Sequence, residues 1–299
     1  MAVVNLTVRK KIRRQIQYIL IRVVLFIIQI LPRRMATGIA AGLSGAAWQV
    51  LKKERKKTIF NLALIFPERN DHERIGREVF RNVAISAADA FKLSELSDKQ
   101  MNELVTVEGL EHFDAAYKQG KGLVAITGHI GCWELIPAWF SRQGYNISVI
   151  GKRVYDPRLN RLLVRLRSGQ GVNIIDRDSG AKDALRDLKA GRALGILIDQ
   201  DTRVASIDVE FFGHQASTPV GAAALADKTG APVIPLAIFR QLDGRYLLSV
   251  KPAIPFNDSL PKEERIRAMV QEQTRQLEEF VRLDITQWVW MHLRWKEKP

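Results

Sequence analysis

Gly122–Gly151 reads GLVAITGHIGCWELIPAWFSRQGYNISVIG, and this stretch decides the fold. Leu123–Thr127 is a short apolar run, too brief for a helix and bounded by glycines. Trp133–Arg142 has the apolar spacing of a helix, Gly144 stops it, and Ile147–Ile150 is a second short apolar run. Strand, helix and strand within roughly 30 residues form a crossover unit, which joins parallel strands.

Working outward, the same alternation continues. Further strands are expected at Val172–Ile175, Leu194–Ile198, Val209–Phe212, Val233–Phe239 and Tyr246–Val250. Helices are expected at Arg158–Arg167, Ala181–Lys189, Val220–Lys228 and Glu263–Arg282. Upstream, Asp71–Leu93 is helical in pattern, and VEGLEHFDAAYKQGKG reads as a turn and a helix closed by Gly120. The fold class is therefore α/β, with a mixed, mostly parallel sheet flanked by helices. No repeat and no long linker interrupts it.

The N-terminus differs in character. VRKKIRRQIQ leads into YILIRVVLFIIQILP, a basic segment followed by an apolar one. Arg22 interrupts the apolar run, and Pro32-Arg33-Arg34 stand where a signal peptide would place small residues. On a helix, Lys11, Gln15, Tyr18, Arg22 and Gln29 fall on one stripe with apolar residues around the rest. Such a helix suits an anionic membrane surface, either lying in the interface or spanning with its stripe against protein. In MATGIAAGLSGAAWQVL, the small residues Gly38, Gly42 and Ala46 would let another helix approach closely. The expected division is a membrane-associated helical segment over 1–57 and a catalytic domain over 58–299.

The 299 residues carry 46 Lys and Arg against 32 Asp and Glu, a net charge of +14. That surface attracts polyanions: acidic proteins, anionic lipids or nucleic acid. No aromatic RNA-binding motif or helix-turn-helix is present, which argues against nucleic acid. The single cysteine, Cys132, excludes an intrachain disulfide. His72, His112, His214 and His292 are scattered, with no HExxH pair, so neither a metal nor a cofactor is expected.

Three clusters bear chemistry. In GHIGCWE, His129 follows a strand, where α/β sheets gather their ligand sites, and Glu134 opens the next helix. A carboxylate on one imidazole nitrogen fixes the tautomer and leaves the other nitrogen as a base. A packed histidine beside a solvated glutamate is the plain alternative, and Cys132 as nucleophile with His129 as base is another. In IDQDTR, Asp199, Asp201 and Arg203 follow another strand, where they either hold a polar substrate or make a turn. Between them, Lys152, Arg153, Arg158, Arg161, Arg165, Arg167 and Arg177 form a basic stretch. Helical spacing puts Arg158, Arg161 and Arg165 on one face and Arg167 roughly opposite, so not all of them meet one ligand.

The order of these clusters, with VEFFGHQASTPVGAAALADKTGAPVIP and ITQWVWMHLRW after them, resembles the late lipid A acyltransferases. They belong to the superfamily that includes lysophosphatidate acyltransferases. The resemblance runs from the apolar N-terminal helix nearly to Trp295. It implies a His129 base partnered by Glu134, and substrate contacts among Lys152, Arg165, Arg177, Asp199, Asp201 and Arg203. It also implies an acyl carrier protein thioester as donor, a phosphorylated glycolipid as acceptor, and the cytoplasmic face of an inner membrane as location. No covalent acyl-enzyme is required. Cys132 stands where asparagine is commoner in that family, and Lys152 where arginine is, which leaves the acceptor open. Another glycolipid or glycerophospholipid acceptor, or a non-catalytic basic binding protein, are the alternatives.

Overall fold

The computed structural model describes residues 8–154, 156–202 and 204–295. Four helices come first: α1 (Val8–Ile30), α2 (Arg33–Val50), α3 (Lys52–Ile65) and α4 (His72–Lys92). Pro32 separates α1 from α2, since its ring fixes φ and keeps the preceding residue out of the helical region. α2 packs chiefly on α4. The Arg33 guanidinium donates to both carboxylate oxygens of Asp89 on α4, at 2.7 and 2.9 Å. Lys92 at the end of α4 donates to the Gln29 carbonyl at 2.6 Å, answering the free carbonyls at the end of α1.

One expectation for this region is corrected. Gly38 and Gly42 face open space rather than a neighbouring helix: a Cβ at either would meet nothing within 4 Å.

After α5 (Asp98–Leu104), the chain enters the sheet with β1 (Val105–Glu108) and α6 (Leu110–Tyr117). Next come β2 (Leu123–Thr127), α7 (Leu135–Arg142), β3 (Ile147–Gly151), α8 (Pro157–Ser168), β4 (Asn173–Asp176), α9 (Ala181–Lys189) and β5 (Ala193–Leu197). A hairpin of β6 (Ser206–Phe211) and β7 (His214–Pro219) stands apart from the sheet. α10 (Gly221–Thr229), β8 (Val233–Arg240), β9 (Tyr246–Val250) and α11 (Lys262–Leu283) complete the order.

The sheet has seven strands in the order β1-β9-β8-β2-β5-β3-β4. β8, β2, β5, β3 and β4 run parallel, while β9 and β1 run against them. The mixed, mostly parallel α/β sheet expected from the sequence is the one observed. β8 is apolar nearly throughout because both its faces are covered. One core lies under α9, α10 and α11, and the other under α5, α6 and α7.

Candidate active site

β2 and β5 are adjacent parallel strands, paired Thr127 to Leu197 at their carboxyl ends. Two residues beyond each end stand His129 and Asp199, so the register itself sets them side by side although 70 positions separate them in sequence. Asp199 is buried, and both its oxygens are engaged. Oδ1 accepts from His129 Nδ1 at 2.8 Å; Oδ2 accepts from the His129 peptide N–H at 2.6 Å and from the Trp288 indole at 2.8 Å. Burial would push the Asp199 carboxyl up, but the His129 charge and these donated bonds hold it well below the usual carboxylate range. An ionised Asp199 keeps the proton of neutral His129 on Nδ1 and leaves Nε2 as an acceptor. The His129 ring is half-buried and stands edge-on to Trp133, with ring centroids 4.9 Å apart.

The C-terminal strap clamps this arrangement. Ile130 and Trp288 form an antiparallel bridge, and Val289 N–H donates to the His129 carbonyl at 3.1 Å. Gly131 is required at this crossing: its φ is +55°, and a Cβ there would come within 2.1 Å of the Ile238 carbonyl oxygen.

Trp133, whose ring stands against the histidine, also lines an apolar cleft. Its floor is one face of the sheet, where β2 and β5 carry Ala125, Ala193 and Gly195. Those small residues leave the space, because alternate residues of a strand line one face. Trp133, Glu134 and Arg167 line another part of its wall.

Glu134, expected to partner His129, does something else. It is the residue just before α7, and its carboxylate takes two bonds from the Arg167 guanidinium of α8, at 2.6 and 2.9 Å. The hydrogen bonds to Glu134 outweigh burial and raise the Arg167 pKa. The ring nitrogens of His129 meet Asp199 and Gln200 instead. Arg167 was set apart by helical spacing, and it is the arginine that turns inward. α8 rides outside the sheet with no buried residue, so Arg161 and Arg165 are exposed.

The remaining expected residues are not gathered at the base. Lys152 and Asp201 are exposed, and Arg177 pairs with Asp178 at 2.9 Å. Arg203 lies outside the described residues. Cys132 is buried with its thiol on the Ser86 carbonyl at 3.5 Å; burial pushes its pKa up, which removes the thiolate a nucleophile needs. Gln200, Trp288 and His292 were not expected at the site. The equal offset of His129 and Asp199 emerges only once β2 and β5 are seen to pair and β5 to end at Leu197, so no sequence signal joined them.

A sequence profile of the bacterial lipid A biosynthesis acyltransferases matches residues 6–297. The chain belongs to this family. The lipid A biosynthesis lauroyltransferase of Escherichia coli is 26% identical over 287 residues, covering 92% of this chain and 90% of that protein. A phosphatidylinositol mannoside acyltransferase of Mycolicibacterium smegmatis is 23% identical, over 73% of each chain. Its Mycobacterium tuberculosis counterpart is 28% identical over 166 residues, and the match spans about half the length of that relative, 50%. Among solved structures, the 1-acyl-sn-glycerophosphate acyltransferase PlsC of Thermotoga maritima aligns with a TM-score of 0.41 at 18% identity, covering 83% of this chain and 98% of that one. Within the lipid A acyltransferase family, this chain places a buried aspartate, rather than the glutamate of its H-x-x-x-x-E element, against the histidine.

Proposed function

We propose that the protein transfers a fatty acyl group from an acyl carrier protein thioester to a hydroxyl of a lipid A precursor. His129 is the general base and Asp199 its orienting partner. The observation that carries this reading is an imidazole with Nδ1 held by a buried carboxylate, its ring against Trp133, a wall residue of an apolar cleft. Nε2 takes the acceptor hydroxyl's proton as that oxygen attacks the thioester carbonyl, and Asp199 stabilises the imidazolium. The tetrahedral intermediate then expels the thiolate, which recovers the proton from His129. One C–O bond forms, one C–S bond breaks, and the histidine returns to its starting state. The apolar cleft receives the acyl chain, and the Glu134–Arg167 pair forms part of its wall.

The same reading places the protein at the cytoplasmic face of an inner membrane. Ile19, Leu20, Phe26, Ile30, Met35 and Leu43 stand exposed along α1 and α2. Among the described residues no helix is long and apolar enough to cross a membrane. In this reading the helices lie in the interface, with Arg22, Arg34 and the KKERKK segment toward anionic head groups. A net charge of +14 suits both an acidic carrier protein and a phosphorylated glycolipid.

The test is acyl transfer followed by mass spectrometry. Purified protein with acyl carrier protein thioesters and lipid A precursor gives a product heavier by one acyl group, and His129→Ala abolishes it. The relatives named for phosphatidylinositol mannosides support a second acceptor. Product on a mannosylated inositol lipid, with none on the lipid A precursor, would replace the first reading.

A further inference from the structure

The residue after Asp199 reaches two histidines at once. The Gln200 carboxamide nitrogen lies 2.7 Å from Nε2 of His292, and 3.3 and 3.2 Å from Nδ1 and Nε2 of His129. These contacts differ in kind. An atom equidistant from both nitrogens of one imidazole lies in the ring plane only by colliding with the carbon between them. The amide therefore sits over the face of His129, and the in-plane lone pair of Nε2 stays open. At His292 the contact is to a single nitrogen at hydrogen-bond distance, so Nε2 of a neutral His292 accepts an amide N–H.

His292 is suited to that role and is itself held in place. Burial, then the charges of His129 and Lys57, keep its pKa below the usual histidine value, with Asp199 opposing them. Its carbonyl and that of Trp290 accept from the Asn61 carboxamide at 2.6 and 2.8 Å. Asn61 belongs to α3, so a helix outside the sheet fixes the strap that carries His292.

We propose that His292 is a positioning residue for His129, acting through Gln200. This rests on the acyl-transfer reading for its kinetic consequence. Asp199 grips the ring at Nδ1, Trp133 stands against it, and the Gln200 amide covers its face through an N–H···π contact. Together these hold Nε2 where the acceptor hydroxyl must arrive. His292 also keeps the amide off that lone pair. Released from His292, the same N–H has only a short way to swing before it bonds Nε2 in the ring plane and competes with the acceptor.

Four proteins test this: wild type, His292→Leu, His292→Gln and Gln200→Leu. In His292→Leu, kcat falls about 100-fold, the loss expected when a reacting group is slightly misplaced, while KM for the acyl donor is unchanged. His292→Gln restores most of the rate, because its amide oxygen accepts the same N–H. Ring-nitrogen NMR reports the contact without any turnover. His292 Nε2 has the shift of a hydrogen-bond acceptor in the wild type and loses it in Gln200→Leu. Wild-type kcat in a folded His292→Leu protein, a His292→Gln variant as slow as the leucine one, or an unmoved His292 signal in Gln200→Leu each overturn the proposal. If His292→Leu does not fold, the rate of His292→Gln and the signal in Gln200→Leu decide it. If the wild type transfers no acyl group to any acceptor, the acyl-transfer reading fails, and the NMR arm still decides the contact.

Discussion

Asp199→Asn isolates the pairing on which the mechanism depends. The three groups that meet Asp199 are all donors: the His129 peptide N–H, the Trp288 indole N–H and His129 Nδ1–H. A carboxylate answers all three. Asparagine has one acceptor oxygen, and keeping it on the peptide and indole N–H groups turns its NH₂ toward Nδ1. His129 then accepts at Nδ1 and carries its proton on Nε2, where the base must be empty. Loss of the orienting carboxylate with its geometry intact costs about 10⁴ in kcat in a serine protease, equivalent to about 5 kcal/mol of transition-state stabilisation. Here the same shape-preserving exchange is expected to reduce acyl transfer by a similar factor. The assay is single-turnover acyl transfer from acyl carrier protein thioester, with circular dichroism to show that the variant is folded. Near-wild-type turnover in Asp199→Asn, alongside a 10⁴-fold loss in Glu134→Gln, would refute the reasoning and return the partner role to Glu134.

The same aspartate sets an acid limit on stability. Its carboxyl titrates below the ordinary value in the fold and near 4 in the unfolded chain, so its contribution is complete above about pH 4 and is lost as pH falls toward the folded value. Urea unfolding at descending pH should show a shallower slope in Asp199→Asn than in the wild type. Breaking the Glu134–Arg167 pair by Arg167→Met leaves a half-buried carboxylate unanswered and should cost roughly 2 kcal/mol, less than a fully buried pair. Adding Glu134→Gln should recover part of that in a double-mutant cycle. Ala125→Leu fills the small-residue floor of the cleft, and competition between donors of different chain length should then favour the shorter acyl groups. Cys132→Ala should keep full turnover and lose about 1 kcal/mol in thermal unfolding, the packing of one small buried group.

Much of this was legible in the residues, and the exceptions share a cause. The strands Leu123–Thr127 and Tyr246–Val250 and the helix Ala181–Lys189 match their apolar patterns because buried sheet and amphipathic helix write distinct periodicities. β1 did not: four residues, Val105–Glu108, are strand only because β9 pairs with them. β7 did not either, since HQASTP carries no apolar alternation and is fixed by its hairpin partner β6. His129 was legible as a residue after a strand. Its partner was not, because Glu134 is near in sequence while Asp199 is near only through the β2–β5 register. Arg167 was legible as set apart from the other arginines but not as the one turned inward, because helical spacing shows which arginines share a face and not which face meets the sheet.

The bond from Trp288 to Asp199 also gives the site a clock. Trp288 is made 89 residues after Asp199, and at about 5–20 residues per second that gap lasts about 4–18 s. During that interval a growing chain already holds the histidine, the aspartate and both apolar N-terminal helices, but not the indole or the strap that clamp the pair. If the N-terminal helices dock on a membrane as proposed, a growing chain can meet that surface before its histidine is clamped. Chains stalled before Trp288 lack the clamp on the pair and should show no acyl transfer.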